Sequence, residues 1–289
     1  MERPVVVGVD GSDGSLAALD WAVEEAARFG LPLRVVYASL WERYEGAVPS
    51  FTAERPAEEV AAQHIVASSE QRARQLSPDL QVNAVTLPDD AVAALTEESR
   101  SAAVLVTGSS GRGAVKELLL GSVSLAVAGR ADCPVVVVRG EERNVKGVSN
   151  RIVVGVGEAD EAATAVRFAL REAEARGCEL QAVRAWRSPR QPADPLVVLE
   201  SAAHAYEEQA AAVLDEVLEE AVAEHPKVSV ERTVLEGPAH RVLLGPAADA
   251  GLLVLGATRR QDGFGLHLGR VSHTALHRAA CPVAVVPHR

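Results

Sequence analysis

The stretch Val104–Val138 reads VLVTGSSGRGAVKELLLGSVSLAVAGRADCPVVVV. Its first apolar run ends at Gly108, a helical pattern begins near Gly121-Ser122, and a second apolar run, Val135–Val138, closes it. This order predicts a buried strand, a glycine-rich turn, a helix and another strand. Glycine lets backbone N–H groups approach an anion closely, and a helix N-terminus presents unpaired N–H donors. The stretch therefore predicts a phosphate-binding turn at the end of a strand.

The glycines of this stretch have a specific spacing. Gly108 and Gly111 are separated by two residues, and nine more residues lead to Gly121-Ser122. Together with VVVGVDGS at residues 5–12, this spacing resembles the ATP-binding signature of the universal stress protein family. The resemblance implies an ATP-binding protein of the stress response, built on a five-stranded sheet with strand order 3-2-1-4-5.

The chain repeats itself with an offset of 147 to 148 residues, so that Val5–Val9 returns as Ile152–Val156. A period of this length indicates a duplicated domain. We expect domains at residues 1–140 and 151–289, joined by the polar linker 141–150. Strands alternate with helices in each half, which predicts α/β domains with doubly wound parallel sheets. The predicted fold class is thus a pseudo-dimeric tandem repeat of two five-stranded domains.

Within the first half, the hydrophobic pattern predicts individual elements. A short apolar strand is followed by a helix with Ser15 as its N-cap and Gly30 as its stop signal. Further predicted elements are a strand at Leu33–Ala38, a helix at 57–76, a strand at Leu80–Thr86 and a short helix at Ala91–Ser99. In such a sheet, ligands bind beyond the carboxyl ends of the strands, where the strand order reverses.

The composition excludes several classes of function. The formal net charge is −11 and both halves are acidic, which argues against nucleic-acid binding and against a basic membrane-binding face. Three cysteines are too few for a disulfide framework or a zinc finger. Neither a signal peptide nor an apolar run of about 20 residues is found, so no membrane association and a cytoplasmic location are expected.

The resemblance assigns roles to residues of the first half. The Gly108–Gly111 loop would hold the ribose and phosphates of ATP, with Mg²⁺ bound through the phosphates and no metal ligand from the protein. Asp10 would face the adenine, near the backbone at Ala38. Arg112 is close enough in sequence to offset phosphate charge. The full set of predicted binding residues is Val9, Asp10, Ala38, Gly108, Ser110, Gly111, Arg112, Gly121, Ser122, Val123 and Ser124.

The second half departs from the signature at three positions. Gly157, Arg259 and Arg270 stand where the first half has Asp10, Gly111 and Ser122, although Gly256 and Gly269 retain the other glycines. An arginine at the Gly111 position obstructs close backbone approach, yet two arginines could still attract an anion. We expect this half to bind ATP poorly or not at all and to act as a packing or regulatory partner.

Other catalytic and metal-binding patterns are incomplete or absent in the sequence. His273, His277 and Cys281 are spaced by four residues, but Pro282 indicates that Cys281 lies beyond the helix, and the first half has no equivalent histidines. The sequence has no Gly-x-Ser-x-Gly elbow and no Walker motif. No catalytic residue is therefore assigned.

The interpretation that follows is a nucleotide-state sensor with little or no hydrolysis, read by an unknown regulatory protein. The alternatives are a slow ATPase or adenylate-transferring enzyme on the same fold, and a nucleotide-independent interaction module. Val135–Val138 and Val283–Val286 are uniform apolar strands at a sheet edge, which is a liability when uncovered. The resemblance implies that such strands pair, either in a homodimer or between the halves of one chain.

Overall fold

The computed structural model describes residues 2–40, 57–109, 120–188, 196–258 and 268–288, without the side chains of 57–58, 159–161 and 196–202. The chain divides into a first unit, Met1–Arg139, and a second unit, Gly140–Arg289. Each unit is described separately below.

The described part of the first unit contains a parallel sheet of five strands in the order β3-β2-β1-β4-β5. Valines of β1 and β5 are almost fully buried, as expected for strands covered on both faces. The strands are β1 Val5–Gly8, β2 Leu33–Ala38, β3 Val82–Leu87, β4 Val104–Gly108 and β5 Val135–Val138; the helices are α1 Asp13–Phe29, α2 Ala57–Leu76, α3 Ala91–Glu98 and α4 Ser122–Ala128.

The helices of this unit form two pairs. α1 contacts α2, and α3 contacts α4. The crossovers from β1 to β3 run in one direction along the sheet, and the crossover from β4 to β5 runs in the other. Because such crossovers are right-handed, the α1–α2 pair and the α3–α4 pair cover opposite faces of the sheet. The reversal lies between β1 and β4, where a doubly wound sheet opens its crevice.

The ends of α1 show one prediction that holds and one that fails. Gly30 ends the helix in the left-handed conformation, with φ 65°. The predicted N-cap Ser15 is wrong, because Ser12 caps the helix by accepting a hydrogen bond from the Ser15 N–H. Ser15 is instead buried in the first turn, and its hydroxyl donates to the Ser12 carbonyl over 2.9 Å.

The second unit repeats this architecture within its described residues. Its strands are all parallel, in the order β8-β7-β6-β9-β10. Both units therefore have the predicted order 3-2-1-4-5. The strands are β6 Arg151–Gly155, β7 Glu179–Trp186, β8 Val230–Glu236, β9 Leu252–Thr258 and β10 Val283–His288; the helices are α5 Glu142–Val145, α6 Ala159–Arg176, α7 Leu196–Glu224, α8 Ala239–Val242, a 3-10 turn at Pro246–Asp249 and α9 Arg270–Arg278.

Residues 141–150, expected as a polar linker, are anchored to the second unit. Asn144 of the short helix α5 is fully buried, and its amide donates to the carbonyls of Ala248 and Ala280, each over 2.8 Å. The Ser149 hydroxyl donates to the Asn144 carbonyl over 2.8 Å. Buried amides are normally hydrogen-bonded, and the bonds to Ala248 and Ala280 attach residues 141–150 to the second unit; the domain boundaries and the linker stay a prediction.

Candidate functional site

The crevice of the first unit lies where β1 and β4 end side by side. Val7 of β1 is in register with Val106 of β4, so Val9-Asp10 and Gly108 follow at the same edge of the sheet. Gly8 is in register with Val36 of β2, which brings Ala38 to this edge as well. The topology thus brings together three predicted segments from distant parts of the sequence.

Asp10 forms a tight turn at the end of β1. Its Oδ1 atom accepts hydrogen bonds from the Ser12 N–H over 3.0 Å and from the Ser12 hydroxyl over 2.6 Å. The same Ser12 hydroxyl caps α1. One carboxylate oxygen is therefore used to shape the turn, which is a structural role that asparagine and aspartate commonly have. Its predicted role facing an adenine stays a prediction.

Gly108 has a packing role that the sequence did not reveal. A Cβ atom built at this position would overlap the backbone carbonyl of Gly14, in the first turn of α1. The end of β4 and the start of α1 can therefore approach each other only because residue 108 lacks a side chain. In the sequence, the only indication of this contact is that each of the two segments has a glycine at this point, Gly14 and Gly108.

The two ends of the glycine-rich loop meet at the same edge. The Gly121 N–H donates to the Ser109 carbonyl over 2.5 Å, and the buried Ser124 hydroxyl donates to the Gly108 carbonyl over 2.6 Å. α4 then begins at Ser122, with Gly121 as an N-cap that forms no side-chain hydrogen bond. Residues 110–119 between these ends, including Ser110, Gly111 and Arg112, lie outside the described residues.

The backbone N–H groups at the start of α4 suit an anion. In the first turn of a helix these groups have no intrahelical acceptor. Gly121 has no side chain with which to cap them, and α4 has no side-chain cap hydrogen bond from its N-cap residue. Donors of this kind, here those of Ser122 and Val123, suit an anion. The donor set fits phosphate oxygens, whereas a metal ion would have to be held through those phosphates.

The second unit has a cavity of about 720 Å³ at the equivalent edge of its sheet. Four predicted equivalents line it, namely Gly157, Gly256, Gly269 and Arg270, whereas Arg259 falls outside the described ranges. A Cβ at Gly157 would meet nothing within 4 Å, so this position is open. The second unit therefore keeps a crevice at this edge, although its glycine signature differs from that of the first unit.

Arg184 changes the chemistry of that crevice. Its guanidinium donates to the carbonyls of Val156 and Gly157, and lies 3.1 Å from the Glu158 carboxylate. The Arg184 side chain is only 13% exposed. Gly157 stands at the Asp10 position, so an arginine bound to backbone carbonyls lies where the first unit has a carboxylate. Sequence reasoning missed Arg184, although the repeat aligns it with Tyr37.

The cysteine and histidine side chains form no metal-holding group in the described part of the chain. Burial raises the pKa of the Cys133 thiol to about 12, so the thiol stays neutral and poorly nucleophilic at physiological pH. The rings of His273 and His277 lie 4.5 Å apart. Among the described residues, no three histidine, cysteine, aspartate or glutamate side chains converge to hold a metal ion.

The helices of the described residues are too short or too polar to cross a bilayer. A membrane-crossing helix needs about 20 predominantly apolar residues. None of the helices in the described ranges combines that length with the required apolar character.

Comparisons with known proteins converge on one family. The profile of the universal stress protein family matches residues 1–139 and again residues 149–287. A universal stress protein of Mycobacterium tuberculosis is 33% identical over 307 aligned positions, covering 98% of this chain and 97% of that protein. One of Mycolicibacterium smegmatis is 28% identical, covering 100% and 98%. The crystal structure of a universal stress protein from Archaeoglobus fulgidus superimposes with a TM-score of 0.68 at 18% identity, covering 99% and 98%, and it shares the fold.

Proposed function

Because the chain belongs to the universal stress protein family, we propose that its first unit binds ATP in the crevice between β1 and β4. A divalent cation such as Mg²⁺ accompanies the nucleotide and is held through its phosphates. The observation that carries the proposal is the closure of the glycine loop, in which Gly121 and Ser124 bond to the backbone of Ser109 and Gly108. This closure supports a phosphate position at the start of α4.

The proposed roles follow the strand ends. The backbone of Ser122 and Val123 donates to the phosphates, and the Ser122 hydroxyl adds a further donor. Asp10 and the backbone of Ala38 face the adenine, while the loop residues Ser110, Gly111 and Arg112 contact the ribose and phosphates. A bound Mg²⁺ would neutralise phosphate charge, and the protein contributes the position of the phosphates and not metal ligands.

We propose further that the bound ATP acts as a signal in the cytoplasm and is not a fuel. Hydrolysis needs a group that orients a water molecule towards the γ-phosphate. The carboxylates that follow the strand ends are engaged locally: Asp10 accepts from Ser12, and Asp90 caps α3 by accepting from the Val92 and Ala93 N–H groups. A persistent ATP-bound state can be recognised by a regulatory protein partner. Dimerisation or pairing of the halves through Val135–Val138 and Val283–Val286 stays a prediction.

The stoichiometry of binding tests the proposal. We expect one ATP per chain, because Arg184 bonds to the backbone of the second crevice and Gly157 lacks the carboxylate of Asp10. Equilibrium dialysis with labelled ATP and Mg²⁺ counts the sites directly. A plateau near two per chain would contradict the assignment of the second unit, and no binding would favour the interaction-module alternative.

Turnover is expected at roughly one ATP per hour or slower, far below the typical enzyme range of about 1–10³ s⁻¹. The physical reason is that backbone donors position the phosphates without activating a water molecule. A single-turnover assay with purified protein and Mg²⁺ measures this rate, with Gly121→Ala as the control for contaminating ATPases. Turnover near once per second that disappears in Gly121→Ala would identify an enzyme instead.

A further inference from the structure

A second cavity of about 370 Å³ lies beside the crevice of the second unit. It opens between the end of β7 and the turn from β8 into α8, and shares Arg270 with the larger crevice. Its polar and aromatic lining comes from Trp186, Arg187, His240 and Arg270. A volume of this size is at the lower end of the range for small-molecule sites, about 300–1,000 Å³.

The charge around this cavity is strongly positive. Arg187, Arg241 and Arg270 are exposed, and none of them forms an ion pair with any residue in the described ranges. Other arginines of the unit are paired, such as Arg232 with Asp215 and Arg167 with Glu220, each at 3.0 Å. In a chain of net charge −11, an unpaired basic cluster is therefore a local exception.

The titration of His240 supports this picture. Desolvation and the positive charges of Arg270, Arg241 and Arg187 lower the pKa of His240 from its ordinary value. Each of the three arginines therefore lies near enough to His240 to disfavour its charged form. Two acidic groups near the strand ends of this unit are engaged: Glu158 pairs with Arg184, and Glu236 at the end of β8 has a partner of its own. A cleft lined by charges of one sign raises the local concentration of counter-ions, here of anions.

Comparison with the first unit shows that the cluster is specific to the second. Ala38 of β2 is in register with Leu87 of β3, as Ala185 of β7 is with Leu235 of β8, so the turns after β3 and β8 correspond. The N-caps Asp90 of α3 and Pro238 of α8 agree with this alignment. The basic residues Arg187, His240, Arg241 and Arg270 replace Leu40, Val92, Ala93 and Ser122, and Gly237-Pro238 replaces Asp89-Asp90.

We propose that this basic cavity is an anion site for the phosphate groups of a small phosphorylated molecule, distinct from the nucleotide crevice of the first unit. Guanidinium groups match phosphate oxygens with paired N–H donors, and two of them, Arg187 and Arg270, line this cavity. Arg187, His240 and Arg270 line one cavity instead of forming a long stripe, which favours a compact phosphate compound over a nucleic acid. The proposal does not depend on ATP binding by the first unit, since it uses residues of the second unit alone.

Calorimetric titration of the full chain with inorganic pyrophosphate, without divalent cations, tests the site. We expect the double variant Arg187→Gln/Arg270→Gln, which removes both guanidinium groups that line the cavity, to bind at least tenfold more weakly than the wild type. The matched control Arg167→Gln/Arg232→Gln removes the same two charges elsewhere in the unit and should change affinity less than twofold. Equal losses in both variants, no loss in the first, or no wild-type binding at millimolar pyrophosphate would each overturn the proposal.

Trp186 offers a local readout because it lines the same cavity. Pyrophosphate should change the tryptophan fluorescence of the wild type with the same midpoint as the calorimetric titration. Trp186→Phe should abolish this change while retaining the heat of binding. If the fluorescence change survives in Trp186→Phe, the anion binds elsewhere and the assignment is wrong.

Discussion

Gly108→Ala is expected to destabilise the first unit by about 3 kcal/mol, the upper part of the range for overpacking a well-packed site. The added methyl group would overlap the backbone carbonyl of Gly14, and the position of a Cβ atom is itself fixed by the backbone. A side chain could rotate away, but here either β4 or the start of α1 must move. Since the turn of Asp10 leads into α1, the same displacement should weaken ATP binding.

Hydrogen exchange followed by mass spectrometry measures this effect, because it reports each unit separately in a chain that need not unfold in one step. Peptides from β1, β4 and α1 should lose protection, while those of the second unit stay unchanged. Gly157→Ala is the matched control at the same sheet edge of the second unit, where a Cβ meets nothing within 4 Å. Equal protection in wild type and Gly108→Ala would show that the contact with Gly14 can relax.

The regular elements were predictable because their signals are local. The helix at 57–76 and the strand at Leu33–Ala38 agree with the observed bounds, since apolar periodicity and flanking polar residues define them directly. The strand expected at Leu80–Thr86 begins later, at Val82, where pairing with Leu33 of β2 starts. The first residue of a strand thus depends on pairing with the neighbouring strand, and a local sequence pattern carries no information about that pairing.

The features that were missed involve contacts between distant segments. Ser12 and Ser15 are both acceptable N-caps by composition, and only the turn at Asp10 decides between them. The burial of Asn144 requires carbonyls more than a hundred residues away, at Ala248 and Ala280. A sequence shows each of these residues as an ordinary polar side chain, because hydrogen-bond partners appear only in the folded chain.

The second crevice shows the same limit for function. The replacement of Asp10 by Gly157 was visible in the repeat and predicted a weakened nucleotide site. The position of Arg184 on the carbonyls of Val156 and Gly157 was not, because it depends on how β6 and β7 end together. Likewise, the cluster of Arg187, His240, Arg241 and Arg270 gathers residues from three segments. The substitutions are visible when the two halves are aligned, whereas the clustering of these side chains in space is visible only in the folded sheet.

Gly111→Arg is expected to weaken ATP binding more than 100-fold, which corresponds to about 2.7 kcal/mol of binding free energy. The expectation rests on the signature spacing, in which residue 111 follows Gly108 by three positions. A glycine there permits close approach of the backbone to phosphate, and a long side chain obstructs it. The fold should persist, because the second unit carries Arg259 at the equivalent position and keeps the same strand order.

Calorimetric titration with ATP and Mg²⁺ measures the affinity of this variant, and circular dichroism checks that its folded content is unchanged. Gly113→Arg is the matched control, because it adds the same side chain two residues later in the loop, outside the signature. If binding depended only on net positive charge near the phosphates, both variants would bind ATP more tightly than the wild type. A loss confined to Gly111→Arg separates backbone approach from charge attraction, and unchanged affinity in that variant would show that the phosphate cradle lies elsewhere.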